Sequence, residues 1–386
     1  MRINTLSVAI AAAVAASGVV LPNAHAIEVY KDGDKFVDIN GRIQAQYHQV
    51  EPNEGDSTDK LFFRRVRLGA EVGIKENWEG RVEFDFGDAE DDNEMSLKSN
   101  YITYTGFEGA KVMVGNAKFP FSRETLTSSR KLGTVERTFV GDHNYGVPEY
   151  VMGLHFKGKA ADMVTWGAAV ASSSIDPDTS RLDFDTPVNK KSDFNEGWVL
   201  GGRVEVHPMG EVKFDQGDFE HGDLKVSFGL GAFTWSNDDD NNTYTDNGVG
   251  TNGSKADVDA VTGYEVSAAM RGFGLSVDAQ YNSFDAETVD SAVTSGIYQD
   301  GETTLESYAV KAGYMIVPST FEAVVAYDAL DADGYEEAWT RTSVGANWYF
   351  NKHATKVQLT YVMGSDVGGV KDEDQDELYL QASYYF

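Results

Sequence analysis

Cysteine is absent from the 386 residues. No disulfide framework, thiolate nucleophile or cysteine-bound metal can therefore exist, although the chain reads as one addressed to an oxidising compartment. Proline is scarce, with 8 residues, and the 39 glycines are spread throughout, so nothing marks a linker between domains. Basic residues number 32 against 62 acidic ones, a formal net charge of −30. That balance excludes nucleic acid as a partner, because a binder needs a basic footprint to displace counterions from phosphates. After the first 26 residues no apolar run reaches the roughly 20 residues of a transmembrane helix.

What the N-terminus does have is Arg2, an apolar stretch from Leu6 to Leu21, and Ala24-His25-Ala26. This predicts a secretory signal peptide over 1–26, cleaved after Ala26, with one unit over 27–386.

From Phe36 onward the chain alternates. Val37, Ile39, Gly41, Ile43, Ala45 and Tyr47 share one face of a strand, and Asp38, Asn40, Arg42, Gln44 and Gln46 share the other. The same pattern fills Leu61 to Ile74 and Trp78 to Phe86, and about thirteen further segments of similar length follow. Short connections such as Lys75-Glu76-Asn77 alternate with long ones rich in Asp, Asn and Gly; only His207 to Asp223 is longer than its class. The apolar faces carry aromatic residues near segment ends, among them Tyr47, Trp78, Tyr150, Trp198, Tyr281, Tyr314, Tyr327, Trp348, Tyr361 and Tyr384. Two interfacial aromatic belts require such placement. The opposite faces are too charged for the packed core of a soluble sandwich, since each unpaired ion would cost several kcal/mol. A secreted soluble binding module is therefore disfavoured. The reading is all-β: a transmembrane antiparallel β-barrel of about 16 strands in the bacterial outer membrane, ending on the aromatic strand Leu378 to Phe386.

Catalytic and metal signals are poor. The histidines show no ligand spacing, and Asp331-Ala332-Asp333-Gly334 fails as a calcium loop because Ala329 and Thr340 occupy its first and twelfth positions. No Ser, His and Asp set marks an outer-membrane enzyme, and no cofactor motif is present.

Between Phe62 and Phe139 the residues go beyond pattern. Arg64-Arg65-Val66-Arg67-Leu68-Gly69, Trp78, Arg81-Val82-Glu83-Phe84-Asp85-Phe86, Val114 to Phe121, Leu126-Thr127-Ser128-Ser129 and Glu136-Arg137 follow in order. Together they resemble the phosphate-selective porin O and P family. The resemblance implies a sixteen-stranded homotrimer in outer-membrane lipid and lipopolysaccharide. It also implies passive diffusion of small hydrophilic solutes, anions such as phosphate foremost, through a pore narrowed by an inward-folded third loop. The acidic composition departs from the basic lining of the family's phosphate-specific members, and a general or cation-preferring porin is the alternative.

Charge is distributed unevenly. The third long connection, Phe119 to Glu149, holds four basic residues (Arg123, Arg130, Lys131, Arg137) and four acidic ones, a balance of zero, while the seven other long connections sum to about −29. Arg42, Arg65, Arg67 and Arg81 fall on three consecutive strands and form a basic stripe facing the lumen. Lys118, Arg123, Arg130 and Arg137 are the candidates on or beside the third loop, and with that stripe they form the expected constriction set. The phase of Arg64 points it to lipid, where a long side chain would snorkel to the interface.

Overall fold

The computed structural model describes residues 26–87, 95–161, 163–185, 195–237 and 256–386. The expected signal peptide, Ala26 apart, lies outside them, and so does Asp238-Asp239-Asp240, an acidic run in one of the long connections that the sequence alone reads as solvated. Among the described residues sixteen long strands form one closed antiparallel ring. They are β1 (Lys35–Pro52), β2 (Thr58–Lys75), β3 (Trp78–Asp85), β4 (Asn100–Phe107), β5 (Ala110–Lys118), β6 (Tyr150–Ala160), β7 (Val164–Ile175) and β8 (Glu196–Val206). Then come β9 (Lys225–Asn237), β10 (Val258–Gly272), β11 (Leu275–Thr288), β12 (Glu302–Val317), β13 (Phe321–Asp331), β14 (Trp339–Asn351), β15 (Thr355–Ser365) and β16 (Gln375–Tyr385). The ring closes where Tyr385 of β16 pairs with Arg42 of β1. A short strand, Ile27–Asp32, folds back on β1, and two more, Ser96–Leu97 and Phe184–Asp185, pair at the rim.

The strands form where period-two alternation predicts them, because a closed sheet satisfies every ladder hydrogen bond while one face meets lipid. In β9 the outward Phe228 and Leu230 are exposed, whereas Ser227 and Phe233 are buried inside. Several strands run longer than the alternation indicates, β11 reaching Thr288, since a hydrogen-bonded ladder can continue beyond the apolar band. At the β10 to β11 hairpin Phe273 and Gly274 both take positive φ, +56° and +83°, the geometry of a two-residue turn matched to strand twist.

Two placements differ from the sequence reading. Between Gln44 and Ala45 the β1/β2 register shifts: Gln44 faces Arg65 and Ala45 faces Phe63, so Arg64 is the extra residue of a β-bulge. The bulge resets the phase, and Arg64 turns inward to Glu136 while Phe63 stays outside. Tyr150 also faces inward, buried, with its hydroxyl 3.5 Å from Arg67. It belongs to the lumen and not to an interfacial belt.

The interior is not uniformly wet. At the outer ends of β8 to β13 the inward residues are apolar: Val199, Phe233, Trp235, Val261, Phe284, Leu305 and Leu330. They pack with Phe119, Phe121, Phe139 and Val147 of the third connection and with Leu182, Ile297 and Tyr298 of other outer loops. Phe233 stands edge-on to Phe121, ring centroids 4.9 Å apart, so this half of the outer barrel holds a true core.

Candidate functional site

The third connection runs from Phe119 to Glu149. Its first turn is the helix α1 (Arg123–Leu126), capped by Ser122, whose hydroxyl accepts from Thr125 N at 3.2 Å. At the other end Arg137 donates to the carbonyls of Glu124, Thr125 and Thr127, and Lys118 donates to that of Thr125. Two cations therefore meet the turn's unsatisfied acceptors, where positive charge is favoured.

Inward side chains around the ring hold this segment. Lys311 of β12 donates to Glu124 at 2.8 Å, and Gln280 of β11 donates to Ser122 and to Val140 O at 2.9 Å each. Asn347 of β14 and Gln358 of β15 donate to Gly133 O at 2.8 and 3.1 Å. On the opposite wall Arg42 of β1 donates to Ser129 at 2.8 Å, and Arg64 of β2 pairs with Glu136 at 2.9 Å. Burial alone would raise the Glu136 carboxyl, but Arg64 and Arg65 overcome it and hold the group down at about 2. Glu149 is likewise lowered against its burial, by Lys118 and Lys98.

Five of the residues singled out in the sequence come together. Arg42, Arg65, Arg67, Lys118 and Arg137 line one cavity of about 150 Å³, along with Arg64 and Lys98, facing the carboxylates of Asp85, Glu136, Asp142 and Glu149. Seven cations against four anions leave the cavity basic inside an acidic protein. Three residues stand elsewhere. Arg81 is on the wall, bound by Glu71 and Glu83 at 2.6 Å each. Arg130 stacks on Tyr385 at 3.6 Å and lines a separate cavity beside the 206–225 connection. Arg123 is buried against Glu205 and Asp278.

A profile of the family described as "Phosphate-selective porin O and P" matches residues 37–386. The chain belongs to that family. It is an outer-membrane porin, a channel-forming barrel of the bacterial outer membrane. Porin O of Pseudomonas aeruginosa is 24% identical over 410 aligned positions, covering 90% of this chain and 88% of that protein. Among solved structures, an anion-selective porin from Comamonas acidovorans superposes with a TM-score of 0.60 at 16% identity, covering 91% of this chain and 99% of that one. The trimer form of OmpT, an outer membrane protein of Vibrio cholerae, gives 0.57 at 15% identity, with 91% and 99% covered. The outer membrane channel DcaP of Acinetobacter baumannii gives 0.56 at 15% identity, with 93% and 100% covered.

Sequence reasoning missed a second segment of the porin that contacts the third loop. The long connection between β8 and β9 meets the third loop from the other side, Gln216 accepting from Gly133 N at 2.7 Å and donating its own N–H to Lys131 O at 3.0 Å. Lys213 O accepts from Arg123 at 3.0 Å, and Phe219 packs on Tyr349 with ring centroids 4.8 Å apart. The signal was its anomalous length alone. Lys98 escaped notice because the segment it falls in, Leu97 to Thr105, alternates only weakly.

Proposed function

We propose that the porin is a passive, anion-preferring channel whose third loop folds into the lumen as its constriction, with phosphate among the ions that pass. The basic cavity beside that loop carries the reading. Permeant ions are discriminated by charges at contact distance where a pore is narrowest, and there Arg42, Arg65, Arg67, Lys118 and Arg137 supply the positive field. Arg81 extends the stripe along the wall, Arg130 stands at the periplasmic exit, and Arg123 ties the loop to the far wall. The outer core over β8 to β13 supports a path running on the β1 to β5 side. The anion-selective porin from Comamonas acidovorans, a barrel of the same build, agrees with anion preference, and the trimer form of the Vibrio cholerae protein supports a homotrimer here. Residues 1–26 act as a cleaved export signal, and the exposed apolar faces meet lipid and lipopolysaccharide. Nothing in the lumen is assigned a catalytic role.

A cation-preferring general porin is favoured by one observation, the net charge of −30. Reversal potentials in planar bilayers under a salt gradient separate the two. Anion selectivity at high salt upholds the proposal, and cation selectivity there overturns it.

A further inference from the structure

Beyond the basic cavity, a second one of about 340 Å³ opens along β4 to β8 against the third loop. Lys118 lines both, so it stands at their junction. The walls of the second cavity are unlike those of the first. Tyr101, Met113, Leu126 and Phe214 give it an apolar and aromatic body, with Phe214 held under the Arg123 guanidinium at 5.1 Å. The Arg203 and Glu205 charges at its edge are spent on each other, 3.3 Å apart, and on Glu265 and Arg123. Lys157 is different. Among the described residues it forms no ion pair, and it faces Lys111 directly across the β5/β6 ladder. Like charges set opposite one another repel, and a bound carboxylate would relieve both.

A small hydrated ion would gain little in this place. Met113, Leu126 and Phe214 cannot replace its water shell, and uncompensated desolvation of a charge is costly. A ring bearing one carboxylate fits the chemistry better, its apolar body covered by apolar and aromatic walls and its charge at one end beside an ammonium. We propose that this cavity is a subsite for aromatic carboxylates, loaded through the Lys118 junction, with the ring between Tyr101 and Phe214 and the carboxylate at Lys157. The inference rests on the anion-preferring reading above and adds a preferred organic class to it.

The test uses the full-length porin in planar bilayers bathed in potassium chloride. Benzoate, acetate and inorganic phosphate are added in turn, and the concentration that halves the chloride-carried current is read for each. Benzoate should block at a concentration about tenfold lower than acetate or phosphate, the difference made by seating one ring on aromatic faces. Phe214→Ala and Lys157→Gln should each erase most of that advantage, while Phe214→Trp and Lys157→Arg keep it. Equal block by benzoate and acetate, or block that survives both Phe214→Ala and Lys157→Gln, overturns the subsite. Should Phe214→Ala fail to assemble, Met113→Gln tests the same wall. The wild-type reversal potential in these membranes reports anion preference separately. A cation-selective channel sinks the underlying reading, whereas an anion-selective channel without preferential benzoate block sinks the subsite alone.

Discussion

Arg64 Nε lies 2.9 Å from Glu136 Oε1, so a residue pushed inward by a β-bulge fastens the third loop to the wall that carries the basic stripe. Both side chains are only partly exposed, which places the pair between a screened surface bridge and a buried one. Arg64→Ala leaves Glu136 short of its nearest partner and should cost about 1–3 kcal/mol of local stability. The expected signature is a noisier single-channel current with little change in the amount of folded protein. A quiet channel in this variant would show that the pair does not restrain the loop.

The same pair sets an acid limit. Glu136 is lowered from 4.5 to about 2, and a depressed carboxyl contributes stability that is present above its unfolded value and lost as pH falls through its folded one. Loop anchoring should hold at pH 5, weaken below about 4.5 and be gone near 2. Glu136→Gln should remove the dependence in that window. Recording noise from pH 6 to pH 3 checks both chains.

An alkaline counterpart lies at the outer face. His143 of the third loop meets Asp183 at 2.6 Å. Burial would lower this imidazole, but the hydrogen bond and charge of Asp183 raise it to about 9. A raised histidine contributes stability that is complete below its unfolded value, about 6.5, and fades as pH passes the folded one. The contact between these two loops should loosen between pH 8 and 10, and Asp183→Asn should make it insensitive there. The ring is partly solvated, so the effect is local. Proteolysis rates of the 176–185 segment across this range measure it.

How much of this was legible in the sequence follows from the physics of each feature. Alternation located the strands, though weakly at β4, β5 and β7, because a barrel wall obeys one period throughout. It could not see the bulge at Arg64, since one inserted residue shifts phase without altering composition. Nor could it separate a wet lumen from a dry one: Phe233, Trp235 and Phe284 fall on the inward phase with Ser227 and Gln280, and only their neighbours show that they pack into a core. Arg123 and Arg137 were found as loop cations, but which of them bonds a carboxylate and which a helix end depends on contacts 82 and 155 residues away for Arg123 and on a turn within the loop for Arg137.

Closure of the ring supplies a further test. Gly41 and Phe386 exchange backbone hydrogen bonds of 2.9 and 3.0 Å, and a Cβ on Gly41 would come within 2.6 Å of the Phe386 ring. Deleting Phe386 removes the bonds and the terminal aromatic together, whereas Gly41→Val disturbs only the fit. Both should lower the yield of heat-modifiable barrel, the deletion more severely. Equal yields from all three chains would mean that this corner does not govern assembly.

The last expectation concerns where selectivity arises. An apolar band about 25 Å tall puts a mid-height constriction roughly 12 Å below the rim, beyond the screening length of about 8 Å at 0.15 M salt. The acidic outer loops are then largely screened at the narrowest point, while Lys118 and Arg42 act there at contact distance. At 0.01 M salt the screening length grows to about 30 Å, so the acidic mouth should begin to oppose anion admission. Anion preference should therefore shrink as salt falls. Replacing Lys118 and Arg42 by Glu should turn the high-salt preference toward cations. Arg137 is the poorer choice for this reversal, because its guanidinium bonds three of the carbonyls at the end of α1 and Lys118 only one. Neutralising the exposed Asp372, Glu373 and Asp374 should change only the low-salt behaviour. If that neutralisation moved the reversal potential equally at both ionic strengths, the field would belong to the vestibule and the constriction would have no separate part in selection.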